Sequence, residues 1–116
     1  MSAIGPGSNI AVKVPAGLFD ATVRFYREAV ALAVIEERPS SVGFAFGSMV
    51  LWLDRVEHAT HAEVWLELTT SDVQASAHDL SASGARIADE IEPLDRDDRH
   101  WIIDPAGMVL LLTPSA

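Results

Sequence analysis

The feature that most constrains the fold of this chain is a segment of sequence that occurs twice. Residues 101–113 read WIIDPAGMVLLLT, which is two apolar runs separated by a turn from Asp104 to Gly107. Residues 44–53, FAFGSMVLWL, follow the same plan, and MVLWL corresponds to MVLLL. Glycine tolerates positive φ in tight turns and proline fixes φ, so each segment predicts a hairpin of two strands. The repetition indicates one structural module that is written twice.

The first hairpin is preceded by a strand, a helix and a second strand. Residues 9–14 alternate in polarity as a strand does, and residues 18–33 place apolar side chains at helical spacing. Residues 34–37 predict a short strand before the hairpin begins. The first half therefore has the order βαβββ.

The second half repeats this order. Residues 63–69 predict a strand, and residues 73–83 predict a helix, with Asp72 as its N-cap and Gly84 just after its end. Residues 86–91 predict a short strand, which is followed by an acidic loop and the closing hairpin. The two halves thus correspond element by element.

A doubled βαβββ order predicts an α+β fold, in which two modules form a cupped, mainly antiparallel sheet packed by two helices. We expect a single domain over residues 1–116, with module one at about 9–56, a linker at about 57–62 and module two at about 63–114. Residues 1–8 are rich in Gly, Pro and Ser and are expected to be a loose arm.

Charge and composition exclude several classes of function. The net charge is −9, whereas proteins that bind nucleic acid need a basic surface. The chain has no cysteine, which excludes disulfides, thiolate metal ligands and a Cys nucleophile. No apolar run approaches the ~20 residues of a membrane span, and the first residues lack a signal-peptide pattern. We therefore expect a cytoplasmic protein that binds neither nucleic acid nor membrane.

The order of these elements resembles the vicinal oxygen chelate superfamily, which includes glyoxalase I, extradiol dioxygenases, fosfomycin resistance proteins and bleomycin resistance proteins. Four features carry the resemblance: the doubled βαβββ order, the strand NIAVKV followed by a helix with Phe25-Tyr26, the strand end at Ser71-Asp72-Val73, and the turn Asp104-Pro105-Ala106-Gly107 followed by a strand. Together they span nearly the whole chain.

The resemblance also implies where a metal ion would bind. In the metalloenzymes of this superfamily, residues on the first, fourth, fifth and eighth strands hold a divalent cation. Those positions correspond here to Asn9, Trp52, Trp65 and Leu111. A divalent cation needs imidazole, carboxylate or thiolate donors, and only Asn9 offers even a carbonyl oxygen. The sequence therefore predicts a member of the superfamily that lacks a metal and other cofactors.

The same positions predict a site for a small organic molecule, because indole rings suit stacking with planar or cationic ligands. The residues expected to contact such a ligand are Asn9, Lys13, Trp52, Trp65, Glu67, Trp101 and Leu111. The alternative left open is that Trp52, Trp65 and Leu111 simply fill the cup as core.

The histidines offer one catalytic candidate. His58 and His61 lie in the polar linker, and His78 lies in the middle of a helix, so all three are expected to be solvated. His100 begins the seventh strand, and either it or its neighbour Trp101 should face the cup. An enzyme of this kind would use Glu67 and His100 as an acid/base pair, and the alternative for Glu67 is a salt bridge with Lys13.

Three hypotheses for the function follow. The first is a metal-free binding protein, similar to the bleomycin resistance proteins, that acts as a homodimer. The second is a glyoxalase-like or dioxygenase-like metalloenzyme whose ligands lie at other positions. The third is a cofactor-free lyase or isomerase that uses Glu67 and His100.

Overall fold

The structure is a computed structural model that describes residues 3–115. The chain divides into two compact units. The first unit is Ser8–Trp65, and the second unit comprises the residues up to Gly7 together with those from Leu66 onward. The fold is mixed α+β and the strand pairs within the units are mostly antiparallel, as the repeat predicted.

The first unit contains four strands. Its elements are β1 (Ile4–Pro15, from Ser8 onward in this unit), α1 (Ala16–Arg24) continued by a π-helical turn (Phe25–Ala29), β2 (Val34–Arg38), β3 (Ser41–Phe46) and β4 (Met49–Val56). The strand order is β2-β3-β4-β1, with β1 parallel to β4 and the other pairs antiparallel.

One face of this sheet packs on the helix. Strand alternation places Val14 of β1 on the same face as Leu53 of β4, where both are buried. With these residues, the buried core consists of Phe19, Val23, Val42, Phe44 and Leu51. The intervening residues of each strand therefore form a second, polar face that points away from α1.

The second unit has the same plan. Its elements are β5 (Glu63–Thr70, from Leu66 onward in this unit), α2 (Val73–Ala82), β6 (Arg86–Ile87), β7 (His100–Ile103) and β8 (Val109–Pro114). The order is β5-β8-β7-β6, and β5 and β8 are parallel. The core between α2 and the strands is formed by Val73, Ala77, Ile102 and Leu112.

The predicted caps and turns of this unit are confirmed. The Asp72 side chain accepts a hydrogen bond from the backbone N–H of Ala75, and Gly84 follows α2 with φ of 106°. Asp104 Oδ1 accepts hydrogen bonds from the backbone N–H groups of Ala106 and Met108, at 2.9 and 2.8 Å. The turn between β7 and β8 is therefore closed by the side chain of its first residue.

Three predicted boundaries were wrong, and one of them is the end of β6, which stops at Ile87 instead of Ile91. Residues 4–8 belong to β1 instead of a loose arm, and the Pro6 carbonyl accepts a hydrogen bond from Thr69 Oγ1. The first helix was expected to run to Ala33, but the helical segment ends at Ala29, because Ala31 takes a left-handed φ of 63° that no helix accommodates. None of the helices in residues 3–115 is long and apolar enough to cross a membrane.

Candidate functional site

The candidate site is the polar face of the first unit. Three rows of cross-strand neighbours build it: Asn9 with Val50, Ala11 with Trp52 and Gly43, and Lys13 with Asp54 and Ser41. Glu36 and Arg38 of the edge strand β2 extend the second and third rows. Neighbours in one row lie on the same side of a sheet, so these side chains share one surface.

The Trp52 indole is held by two neighbours on this face. Its Nε1–H donates a hydrogen bond of 2.8 Å to Asn9 Oδ1. Its six-membered ring lies across Gly43, where a Cβ atom would stand only 2.9 Å from Cζ3. The ring has this place because residue 43 has no side chain, and Asn9 then fixes its orientation.

A buried charged cluster lies beside this tryptophan. Lys13, which is 7% exposed, places Nζ at 2.9 Å from Asp54 Oδ2 and 4.2 Å from the centroid of the Trp65 ring. Ser41 donates its Oγ–H to Asp54 Oδ1 at 2.5 Å. The carboxylate therefore compensates the buried ammonium, and the indole face adds a cation–π contact.

Three other predicted ligand-binding residues lie in the second unit. Glu67, Leu111 and Trp101 are cross-strand neighbours in one row, on the face away from α2. The Glu67 side chain passes close to Gly7, where a Cβ atom would stand 2.7 Å from Glu67 Cβ. Trp101 is only 7% exposed, and its Nε1–H donates to the Glu92 carbonyl at 2.9 Å. Its indole therefore anchors the acidic loop.

His100 lies on the opposite face from Trp101, because neighbouring residues of a strand alternate. Its Nδ1 is 2.7 Å from Asp89 Oδ2, and its Nε2 is 3.2 Å from Gln74 Nε2. In the neutral ring, donation from Nδ1 to this carboxylate leaves Nε2 to accept from the Gln74 amide. His100 and Asp89 border a cavity of about 760 Å³, whose other lining residues are 94–99.

The proposed acid/base pair is therefore not formed. Glu67 shares its face with Trp101, whereas His100 points to the α2 side of the same strands. One substrate cannot contact two side chains on opposite faces of a sheet, so Glu67 and His100 have no common reaction centre. Of the two neighbours on β7, Trp101 is the one on the face that points away from α2.

Comparison with known proteins now identifies the family. A family model described as a glyoxalase-like domain matches residues 10–113. The chain belongs to the glyoxalase-like domain family. The resemblance to the vicinal oxygen chelate superfamily is thereby confirmed. Comparison with curated protein sequences finds no match.

Solved structures share the fold of this glyoxalase-like domain at low sequence identity. A Mn(II)-bound glyoxalase from Novosphingobium aromaticivorans is 21% identical with a TM-score of 0.72, over 98% of this chain and 40% of that chain. A glyoxalase/bleomycin resistance protein/dioxygenase superfamily member from Vibrio splendidus is 12% identical with a TM-score of 0.67, over 99% and 100%. A methylmalonyl-CoA epimerase from Mycobacterium tuberculosis is 13% identical with a TM-score of 0.64, over 96% and 88%. This domain thus spans less than half of the manganese-bound glyoxalase chain.

The strand register supports the assignment of the four metal-ligand positions. In the first unit, Trp52 lies beside the residue two places after Asn9. In the second unit, Leu111 lies beside Glu67, which is two places after Trp65. The same spacing between the opening strand and its parallel neighbour therefore occurs twice in the chain, as a duplicated module requires.

The residues at these positions do not fit a divalent metal ion. The Asn9 oxygen already accepts the Trp52 N–H, and neither indole nor Leu111 has an atom that can donate to a cation. Within residues 3–115, no group of three or more His, Cys, Asp or Glu side chains is placed to hold a metal ion. His58, His61 and His78 are exposed, as expected.

Sequence reasoning missed several neighbours of the predicted residues. Gly43, Ser41 and Asp54 surround the first-unit site, and Asp89 and Gln74 hold His100. The first group could have been found, because a two-residue turn between β3 and β4 fixes their register. The second group could not, since a long irregular loop separates Asp89 from β7.

Proposed function

We propose that this protein binds a small, flat organic molecule at the Trp52 indole, on the polar face of the first unit, without a protein-bound metal ion. The observation that carries the proposal is the way in which Asn9 and Gly43 hold that indole. A ring fixed by two neighbours is a preorganised surface for stacking, which lowers the entropic cost of binding. Lys13 and Arg38 supply the few polar groups that orient a ligand in such sites.

A titration with planar compounds tests this proposal. A thermal-shift screen of neutral, anionic and cationic aromatic compounds should identify ligands, whose affinity is then measured by calorimetry. Trp52→Phe should weaken binding by about tenfold, because phenyl lacks both the larger ring and the N–H that Asn9 holds. The matched control is Phe25→Leu, which removes an exposed aromatic ring from the π-helical turn. No ligand from the screen, or an equal loss in the control, would refute the proposal.

A glyoxalase-like or dioxygenase-like metalloenzyme is the alternative that the family suggests. It would require metal ligands other than Asn9, Trp52, Trp65 and Leu111, because these residues offer no adequate donor set. Elemental analysis of the purified protein separates the two. Zinc, nickel, manganese or iron at one equivalent per chain would overturn the metal-free part of the proposal.

We also propose that the protein is a homodimer. Strand β2 lies at the edge of the first unit's sheet, and all five of its residues are exposed. Unpaired edge strands tend to be covered by another chain. Light scattering after size exclusion should give twice the 12.5 kDa mass of one chain, and a monomer at micromolar concentration would contradict this.

A further inference from the structure

We infer that the ligand of the Trp52 site carries a carboxylate, which Arg38 binds while the flat part of the molecule stacks on the indole. This inference rests on the proposed function and narrows it to one chemical class, the planar carboxylates. It depends on the position of Arg38, on the hydrogen bonds that it leaves open, and on the state of the other charged groups of this face.

Arg38 lies over the Trp52 ring. Its guanidinium carbon lies 5.4 Å from the centroid of the Trp52 ring. The side chain is 61% exposed, so a molecule from solvent can reach it. A group bound to this guanidinium would lie next to anything stacked on the ring.

The guanidinium keeps its most useful donors. Within residues 3–115, its ion pair is with Glu36 and involves only Nε. The terminal amino groups, Nη1 and Nη2, carry four N–H bonds that match the two oxygens of a carboxylate. Such a fork gives both affinity and orientation, which a single ammonium does not.

The other charges of this face argue against a cationic ligand. Each indole already has a cation of the protein at its ring, Lys13 at Trp65 and Arg38 at Trp52. A cationic ligand would therefore meet the repulsion of these charged groups. The carboxylates of this face are already paired, since Asp54 accepts hydrogen bonds from Lys13 and Ser41, and Glu36 accepts one from Arg38 Nε.

Because the net charge of the chain is negative, binding of a carboxylate requires a local contact with a basic side chain. At −9, the protein repels anions at long range. A carboxylate therefore binds only where a specific donor outweighs this repulsion, and Arg38 is such a donor. Binding of a carboxylate should consequently depend on this one side chain more than on the general charge of the surface.

Calorimetric titration with 2-naphthoate and its neutral analogue 2-naphthamide tests the inference. We expect the naphthoate to bind about tenfold more tightly than the amide, and Arg38→Gln to abolish this difference. Arg38→Lys, which keeps the charge but lacks the fork, should retain only part of it.

Arg55→Gln is the matched control. Arg55 makes the same kind of ion pair, through Nε to a glutamate two residues away, but it lies on the helix side of β4 beside Val14. This variant changes the net charge equally and should leave the preference for naphthoate intact. Equal loss in both variants would show a general charge effect and refute the inference.

The outcomes separate this inference from the function on which it rests. If both probes bind equally, or only the amide binds, the carboxylate assignment fails while the planar-ligand proposal stands. If neither probe binds, the carboxylate assignment fails, and the planar-ligand proposal is decided by the neutral and cationic compounds of the wider screen.

Discussion

The contact between Gly43 and Trp52 gives the sharpest test of how this site is built. A Cβ atom at position 43 would stand 2.9, 3.0 and 3.1 Å from three carbons of the indole. Carbon atoms prefer a separation of about 3.5–4.0 Å, so Gly43→Ala forces the ring to move by roughly half an ångström or more. That movement also pulls Nε1 away from Asn9 Oδ1, which is now at 2.8 Å.

The cost can be worked from these contacts. Overpacking costs about 1–3 kcal/mol, and losing the Trp52–Asn9 hydrogen bond costs about 0.5–1.5 kcal/mol. Replacing glycine within a strand regains about 0.5–1 kcal/mol of backbone entropy. The expected net loss is therefore about 2 kcal/mol, or a decrease in Tm of about 8 °C for a domain of this size.

Thermal unfolding followed by circular dichroism measures this loss. The control is Gly17→Ala, because no atom lies within 4 Å of a Cβ there and the residue is helical. That variant should be as stable as the parent or slightly more stable. Adding Trp52→Leu to Gly43→Ala should recover much of the loss, since leucine has no ring to displace.

A variant with an unchanged Tm would refute this account of the site. If Gly43→Ala melts within about 1 °C of the parent and keeps its near-ultraviolet spectrum, the indole does not depend on the space above residue 43. The main observation in favour of a preorganised stacking surface would then be lost. A loss that persists in the double variant would place the strain elsewhere in β3.

Three further changes test other contacts. Asp54→Asn removes the negative charge with which the buried Lys13 ammonium pairs and should cost about 3 kcal/mol in urea denaturation, whereas a loss below about 1 kcal/mol would contradict the pairing. Trp101→Phe removes the hydrogen bond to the Glu92 carbonyl, so limited proteolysis should cut that loop faster, and an unchanged rate would show that the indole does not anchor it. The hydrogen bond from Arg86 lowers the pKa of Glu90, so Arg86→Gln should raise that pKa towards its ordinary value in an NMR titration. The stability that this pair contributes is present above the unfolded pKa and is lost as pH falls through the lowered folded pKa, and an unchanged pKa in the variant would exclude the contact.

The sequence predicted the elements whose causes are local. Asp104 and Gly107 determine the turn between β7 and β8, and Asp72 and Gly84 bound α2. The end of the first helix was mispredicted because no glycine marks it. The chain instead leaves the helix at Ala31, and the apolar residues that continue the helical spacing give no sign of this.

The two faces of β7 are a feature that the sequence does not predict. His100 and Trp101 are neighbours on β7, so one must point to α2 and the other must lie on the opposite face of the sheet. Their assignment depends on the register with β8, in which Trp101 lies beside Leu111. The turn from Asp104 to Met108 is longer than two residues and does not fix that register from sequence, so His100 was wrongly paired with a residue of the other face.

The place of the Trp52 indole depends on three residues together. From the sequence, Asn9 offers only one carbonyl oxygen to a metal ion, and Trp52 is a candidate for ligand contact or for core. In register with Gly43 they form one arrangement, in which the glycine makes space, the indole fills it, and the amide holds the N–H. A large aromatic ring on β4 thus requires a small cross-strand partner on β3, because the same volume cannot be occupied twice. Introducing a carboxylate with Trp52→Glu would leave the space above Gly43 open and remove the N–H that Asn9 Oδ1 accepts, so this single substitution should not create a metal site.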